Sequence, residues 1–155
     1  NIKTFMDYHN LREEAEPVPV KKEPDSVSVK IGDTNYKLEV AETPEKIYKG
    51  MSGRKHIPRK TGMLFRMPME MIQSFCMRDC DCNMDIIYVN SDNKVVGSHS
   101  MSMERPKHRM ESDTQYENRL KKYNSEEPAQ YAIEIPAGDI TRLGIKNNQT
   151  INIPK

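Results

Sequence analysis

Hydrophobic and polar residues alternate with a period of two from about residue 26 onward. The alternate apolar positions form two runs, Val27, Val29 and Ile31 and then Tyr36, Leu38 and Val40. Because successive side chains of a strand point to opposite faces of a sheet, each run predicts a strand with one buried face. The stretch Gly32-Asp33-Thr34-Asn35 between them favours a tight turn, so residues 27–40 are predicted to form a β-hairpin.

The rest of this region predicts further strands and little helix. The stretch "ETPEKIYKG" has Thr43 as a cap, Pro44 at the first helical position and Gly50 as a stop, which predicts one short helix. Further strand-like runs are "GMLFRM", "MDIIYVN", "KVVGS", "QYAIEIPA" and "TINIP". We therefore predict a mainly β fold over residues 26–155, an antiparallel β-sandwich or barrel-like single domain with one or two short helices.

Residues 1–25 have a different pattern, and we call them the tail. The stretch "TFMDYHNLREEAE" has apolar residues at helical spacing and is followed by Pro17, so it predicts a short amphipathic helix. Pro17, Pro19 and Pro24 then predict an extended linker. A helix of about eleven residues is marginal alone in water, so we expect it to dock on a partner protein. The apolar positions of the tail are Ile2, Phe5, Met6 and Leu11.

Residues 104–127 are a second segment of unusual composition. They contain six basic and six acidic residues and few apolar ones. This composition predicts a long, charged and solvated insertion in the β domain, with a helical turn between Tyr116 and Tyr123. Loops of this length are more often functional or disordered than inert.

Composition limits the class of function. The chain has 155 residues, of which 35% are hydrophobic and 30% charged, which fits one domain with polar extensions. Its net charge of +1 comes from 24 basic and 23 acidic residues, a balance that favours neither nucleic acid nor an anionic membrane as a partner. No run approaches the roughly 18 apolar residues of a membrane span, and no signal peptide is recognisable.

Three cysteines lie close together in "FCMRDCDC". Cys76, Cys80 and Cys82 are the cysteines of the whole chain, and their odd number favours a reducing compartment over a disulfide framework. Their spacing lacks the paired form of structural zinc sites. The nearby methionines of "MPMEM" and "HSMSM" leave a soft-metal site of the copper(I) type as the alternative. We predict reduced thiols without metal or other cofactor, which share one strand face and are packed partly in the core.

Three ordered blocks resemble the signature blocks of the family named domain of unknown function 192. The blocks are "ETPEKIYKGMSGRKHIPRKTGMLFRM", "FCMRDCDCNMDIIYVN" and "EPAQYAIEIPAGDITRLGI". The resemblance covers about residues 26–154 and leaves out the tail. It implies a mainly β, sandwich-like fold, and it implies no reaction because the activity of the family is unknown. The positions that fit the pattern are Gly50, Arg54, Gly62, Met63, Leu64, Phe65, Phe75, Met77, Asp85 and Ile86.

The second block also departs from the family pattern. Cys76, Cys80 and Cys82 stand where tryptophan, threonine and an aliphatic residue are usual, and Arg78 and Asp79 replace lysine and asparagine. An activity that depended on this polar block would be lost here. The comparison therefore predicts a chain that retains the scaffold of the family without the site.

Arg54 and Asp85 occupy family positions and carry opposite charges. With Phe75 and Met77 they are predicted to line a ligand cleft, and the alternative is an ion pair that serves the fold alone. The four histidines have no acidic partner at a telling spacing, and the motifs of serine hydrolases, phosphate loops and zinc proteases are not found. No catalytic residue is therefore predicted.

These observations predict a non-enzymatic structural or accessory protein of a multi-protein assembly, which docks on other proteins through its tail. Leu11-Arg12-Glu13 in an amphipathic tail resembles the capsid-targeting peptides of T-even-type tailed phages, whose maturation protease cuts after Leu-x-Glu. This resemblance implies a virion as the most concrete assembly, and a location in the virion or the cytoplasm. The alternatives are a soluble small-ligand or soft-metal binding protein and, third, a degenerate enzyme.

Overall fold

A computed structural model describes residues 26–155, which form eight strands and three short helices. The strands are β1 (Ser26–Ile31), β2 (Thr34–Ala41), β3 (Thr61–Met71), β4 (Ser74–Phe75), β5 (Met84–Val89), β6 (Val95–Met101), β7 (Tyr123–Asn124) and β8 (Ala129–Pro136). The helices are α1 (Pro44–Lys49), α2 (Asp113–Arg119) and α3 (Asp139–Leu143). The predicted tail helix and linker, with Ile2, Phe5, Met6 and Leu11, lie outside the described residues.

Six of these strands form one mixed sheet in the order β1-β2-β3-β8-β5-β6, and β4 and β7 form a separate pair. β2 and β3 run parallel, whereas the other neighbours in the sheet run antiparallel. Because β1 and β6 are the two ends of the sheet, it stays open and does not close into a barrel. The predicted mainly β class is confirmed.

The first hairpin and the first helix form where the sequence predicts them. β1 and β2 pair antiparallel, with Ile31 opposite Thr34. The Thr43 side chain caps α1 by accepting a hydrogen bond of 3.3 Å from the Lys46 N–H, and Gly50 ends the helix with a φ of 47°. α1 and the loop after it form the crossover that two parallel strands require.

Both faces of the six-stranded sheet are covered, so each central strand contributes to two cores. In β5, Ile86 and Tyr88 face one core and Ile87 and Val89 face the other. The first, which we call the sulfur-rich core, includes Met51, Met63, Phe65, Met77, Met84, Ile86, Tyr88 and Met101, with Cys80 and Cys82 packed against it. The second, the aliphatic core, includes Val29, Ile31, Leu38, Leu64, Ile87, Ile133, Ile135, Ile151 and Ile153.

The C-terminal stretch "TINIP" was predicted to be a strand, and this prediction is wrong. Its one bridge to the sheet joins Thr150 to Lys94. Ile151 donates its N–H to the Asn93 carbonyl at 2.8 Å and is 1% exposed. The alternating isoleucines are therefore apolar because they are buried in the aliphatic core. The backbone that pairs with this stretch belongs to the turn at Asn93 and not to a strand.

Candidate functional site

The three cysteines lie in the loop of residues 76–83 between β4 and β5, which we call the thiol loop. The chain turns at Asp79, whose φ is 53°, and Cys80 donates its N–H to the Met77 carbonyl at 3.3 Å. The prediction that the thiols share one strand face is wrong because this turn interrupts the alternation. All three are free cysteines, and Cys80 and Cys82 pack against the sulfur-rich core.

The environment of the thiol loop suppresses thiol reactivity. Burial raises the pKa of Cys80 to about 12, with the Glu134 carboxyl as the second cause. Burial also raises the pKa of Cys82, followed by the effects of Asp81 and Glu134. The thiolate is the form that attacks electrophiles and binds metals. Cys80 and Cys82 are therefore neutral at pH 7 and serve the core as small, weakly polar side chains.

The insertion of residues 104–127 docks on the thiol loop through an ion pair. Arg78 of the loop donates two parallel hydrogen bonds to the Glu117 carboxylate of α2, one of them 2.7 Å long. The Arg78 guanidinium carbon lies 4.7 Å from the centre of the Tyr48 ring. Paired, planar contacts of this kind fix both partners in orientation as well as position.

A tyrosine of α2 makes the second contact between the insertion and the thiol loop. The Tyr116 hydroxyl accepts the Asp79 N–H at 3.0 Å and donates to Asp79 Oδ1 at 3.1 Å. Within the insertion, the Arg119 guanidinium donates to the Glu111 carboxylate at 2.6 and 3.1 Å. Most of the segment is exposed, as predicted for a solvated insertion, but Tyr116 and Leu120 are buried and tie it to the domain.

Glu134 in β8 is a buried titratable group that the sequence analysis missed. It is 4% exposed and lies between Met63 of β3 and Ile86 of β5 in the sheet. Its Oε2 atom is buried and has no hydrogen-bond partner within residues 26–155. Burial raises the pKa of Glu134 to about 8, and Arg54 opposes that rise. The available signal was a charged residue inside "YAIEIP", a run that is otherwise typical of a strand buried on both faces.

Arg54 and Asp85, the predicted polar pair, have different partners. Asp85 is 1% exposed, and its Oδ2 atom accepts the Ile140 N–H at 2.9 Å. Gly138 has no side chain to cap α3, so Asp85 supplies the cap from β5. Arg54 is paired instead with Glu39 of β2.

Phe75 and Met77, the other predicted cleft residues, are parts of the sulfur-rich core. Met77 is 1% exposed, and the Phe75 ring meets the Phe65 ring edge-on at 5.0 Å between centroids. Asp85 lies on the opposite face of the sheet, where its β8 neighbour Ile135 joins the aliphatic core. Of the four predicted cleft residues, the structure places Arg54 alone beside a cleft.

That cleft is open to solvent and has a volume of about 260 Å³. It lies between the loop after α1 and the strands β1 to β3. Its apolar wall is formed by Met51, Ile57 and Pro58, and its polar lining includes Lys37, Glu39 and Arg54. Glu134 does not line it.

The described domain shows neither a metal centre of the usual ligands nor a membrane span. Between residues 26 and 155, no three His, Cys, Asp or Glu side chains are grouped to hold a metal ion. Cys80 and Cys82 do meet several methionines, but in the packed sulfur-rich core, where methionine commonly fills gaps. No helix among these residues is long and apolar enough to cross a bilayer.

The sequence of this domain matches one known family. The sequence profile of domain of unknown function 192 (DUF192), described as Uncharacterized ACR, matches residues 27–153. The chain belongs to the DUF192 family. The match confirms the resemblance of the three blocks and covers nearly the whole described domain. No match was found among the curated proteins.

Two solved structures resemble this DUF192 domain in fold. A protein of unknown function from Novosphingobium aromaticivorans has a TM-score of 0.64 and 23% identity, over 83% of this chain and 84% of that one. A Sinorhizobium meliloti protein whose proposed role is transcription regulation has a TM-score of 0.64 and 21% identity, over 82% of this chain and 91% of that one. At such identities the likeness establishes the fold alone.

Cys80 of this DUF192 protein is expected to resist alkylation. Because the pKa of Cys80 is raised to about 12, its thiolate fraction at pH 8 is on the order of a thousandfold below that of an exposed cysteine. In a Cys76→Ser/Cys82→Ser variant, iodoacetamide should label Cys80 slowly in the native protein and rapidly in guanidinium, as read by mass spectrometry. Rapid native labelling would contradict this, and one copper equivalent that is lost when all three cysteines become serine would support the soft-metal alternative.

Proposed function

We propose that this protein is a non-enzymatic structural or accessory component of a multi-protein assembly. The supporting observation is that Arg78 and Asp79, the charged residues at the turn of the thiol loop, already have partners within the domain. Arg78 is paired with Glu117, and Asp79 is bonded to Tyr116. Arg78 and Asp79 therefore hold the insertion in place and are not free to bind a substrate.

The surroundings of Glu134 and the thiols agree with this proposal. A catalytic acid, base or nucleophile needs a reactive protonation state and a path to the substrate. Cys80 and Cys82 are neutral at pH 7, and Glu134 Oε2 is enclosed and does not line the cleft. We therefore assign these groups to the core of a scaffold rather than to a reaction.

The proposed docking element is the tail, with Ile2, Phe5, Met6 and Leu11 as its apolar anchors. A short amphipathic helix on a proline-containing linker is a common design for binding a groove of a partner at some distance from its own domain. Other proteins of the assembly are thus the proposed partners. A tailed-phage virion is the most concrete assembly, on the likeness of Leu11-Arg12-Glu13 to capsid-targeting peptides.

Phe5→Asp tests this proposal, since one buried aromatic anchor can contribute about 2 kcal/mol or more at an interface. When the affinity-tagged Phe5→Asp variant is purified from its native cells or particles, the amount of co-purified partner protein should fall at least about tenfold relative to the wild type. Its melting temperature should stay unchanged. Thr4→Asp adds the same charge away from the predicted apolar face and should retain the partners. Loss of melting temperature with full assembly would place the tail in the core of the chain and refute the docking role.

A further inference from the structure

Basic residues are concentrated in one part of the sequence, although the chain as a whole is almost neutral. Positions 46–69 contain seven Lys or Arg residues and no Asp or Glu. The whole chain has 24 basic and 23 acidic residues. The overall balance therefore hides a strongly basic segment, and the expectation that the protein has no marked field does not hold locally.

Arg54, Ile57 and Pro58 of this segment line the cleft, and Lys55, Arg59 and Lys60 are their direct neighbours in the chain. We call residues 54–60, "RKHIPRK", the basic loop. The side chains of Lys55, Arg59 and Lys60 are exposed, and none of them forms an ion pair within the described domain. Exposed Lys37 lies next to them, because its N–H donates to the Lys60 carbonyl at 2.9 Å. Arg54 is paired with Glu39, so Lys37, Lys55, Arg59 and Lys60 are four cations of this surface without an ion-pair partner among residues 26–155.

The basic loop is held in place by packing against the sulfur-rich core and by backbone hydrogen bonds near its two ends. Met51 and Ile57, which are 2% and 7% exposed, anchor it in the sulfur-rich core. Before the loop, Gly53 donates its N–H to the Asp79 carbonyl at 2.9 Å. At its end, Thr61 donates its N–H to the Pro58 carbonyl at 3.2 Å. A surface that is already ordered loses little conformational entropy when it binds a partner.

The shape and lining of the cleft favour one kind of occupant. Its volume of about 260 Å³ is below the roughly 300–1,000 Å³ of pockets that enclose whole small ligands. It is large enough to accept an apolar side chain against Met51, Ile57 and Pro58. Negative groups on either side of that side chain would meet the free cations.

We propose that the basic loop and the cleft bind an acidic peptide segment of a partner protein, with one apolar side chain of the segment in the cleft. The carboxylates of the segment pair with Lys37, Lys55, Arg59 and Lys60. This inference rests on the proposed function, since it names the chemistry of a partner in the assembly. Nucleic acid is disfavoured, because Glu39 lies in the lining and the lining has no aromatic ring on which a base would stack.

Fluorescence anisotropy with the full-length chain tests the site. The probe is a fluorescein-labelled peptide, Glu-Asp-Glu-Leu-Glu-Asp-Glu, and its affinity should fall as salt rises. Arg59→Gln/Lys60→Gln should weaken binding at least about tenfold, whereas the matched control Lys146→Gln/Lys155→Gln should bind as the wild type does. Replacing the leucine of the peptide by serine should weaken binding about threefold or more, because the cleft then lacks its apolar occupant.

Several results would overturn the inference. Equal affinity of the two double variants, or no binding of the peptide by the wild type, would remove the basic loop from the site. Tighter binding of duplex DNA or phosphatidylserine vesicles, lost in Arg59→Gln/Lys60→Gln, would assign the surface to another class of partner. If the triple variant Glu13→Gln/Glu14→Gln/Glu16→Gln bound the peptide about tenfold more tightly than the wild type, the tail of the chain itself would be the occupant of the cleft.

The test is separable from that of the proposed function. Phe5→Asp changes the tail and leaves the basic loop intact, so the acidic peptide should bind this variant with wild-type affinity. Arg59→Gln/Lys60→Gln leaves Phe5 intact. Loss of partners in one variant and loss of the peptide in the other are therefore independent results.

Discussion

Glu134→Gln is expected to abolish a loss of stability that the wild-type chain undergoes between about pH 4.5 and about pH 8. The pKa of Glu134 rises from 4.5 to about 8 because burial disfavours the charged carboxylate. Between these values the folded protein keeps the proton and the unfolded chain releases it, so the free energy of unfolding falls as the pH rises. The contribution is fully present below pH 4.5 and is lost above pH 8.

The expected loss is on the order of 5 kcal/mol, at about 1.36 kcal/mol per pKa unit. Urea unfolding across this pH range should give a sloping profile for the wild type and a flatter one for Glu134→Gln, so that the variant is the more stable protein at alkaline pH. Ile133→Val on the same strand is the control, because it should lower stability by about 1 kcal/mol at every pH without changing the slope. Parallel profiles for wild type and Glu134→Gln would mean that the Glu134 carboxyl is not desolvated in the fold.

Gly62→Ala is expected to cost roughly 3 kcal/mol or more of folding stability, or to prevent folding. A Cβ at this position would lie 2.1 Å from the Glu134 carbonyl oxygen and 3.1 Å from side-chain atoms of Ile135 and Leu38. Because the nearest atom belongs to the backbone of β8, the clash is relieved only if β3 and β8 separate at the centre of the sheet. The close approach of β8 thus explains why this position of the family pattern is a glycine.

Gly138→Ala is the matched control for that substitution. Gly138 has a φ of 90°, and apart from its chain neighbours no described residue has an atom within 4 Å of a Cβ built at this position. The control should lose about 1 kcal/mol, because alanine strains this backbone conformation without a clash. Equal losses for the two variants in denaturant unfolding would mean that β3 and β8 accommodate the extra methyl group without separating, and would refute the packing explanation for glycine at position 62.

Secondary structure is predicted most reliably from the sequence where its contacts join residues that are close together in the chain. The hairpin of β1 and β2 and the capped helix α1 follow from alternation, a turn and three residues at the helix ends. The strand β5 was also predicted, but its burial on both faces was not, since that depends on two separate sets of covering segments. The error at "TINIP" has the same origin, because alternation reports burial and not the presence of a partner strand.

The candidate site was predicted less well than the fold, because its contacts join distant parts of the chain. Asp85 was predicted in a cleft and caps α3 instead, some 55 residues later in the sequence. Arg54 was expected near Asp85 of β5 and pairs instead with Glu39 of β2, a strand that does not adjoin β5. The docking of the insertion through Arg78 and Glu117 joins two charged residues that have no distinctive spacing.

The mainly β class, the first hairpin, the helix α1 and the likeness to the DUF192 family can all be read from the amino-acid sequence. They depend on local periodicity, on caps and turns, and on the order of the signature blocks along the chain. Which polar groups are buried, paired or free follows only from the folded chain, as for Glu134, Arg78 and the cations of the basic loop. The physical reason is that desolvation and ion pairing act between groups brought together by sheet pairing and crossovers, and residue type alone does not specify those neighbours.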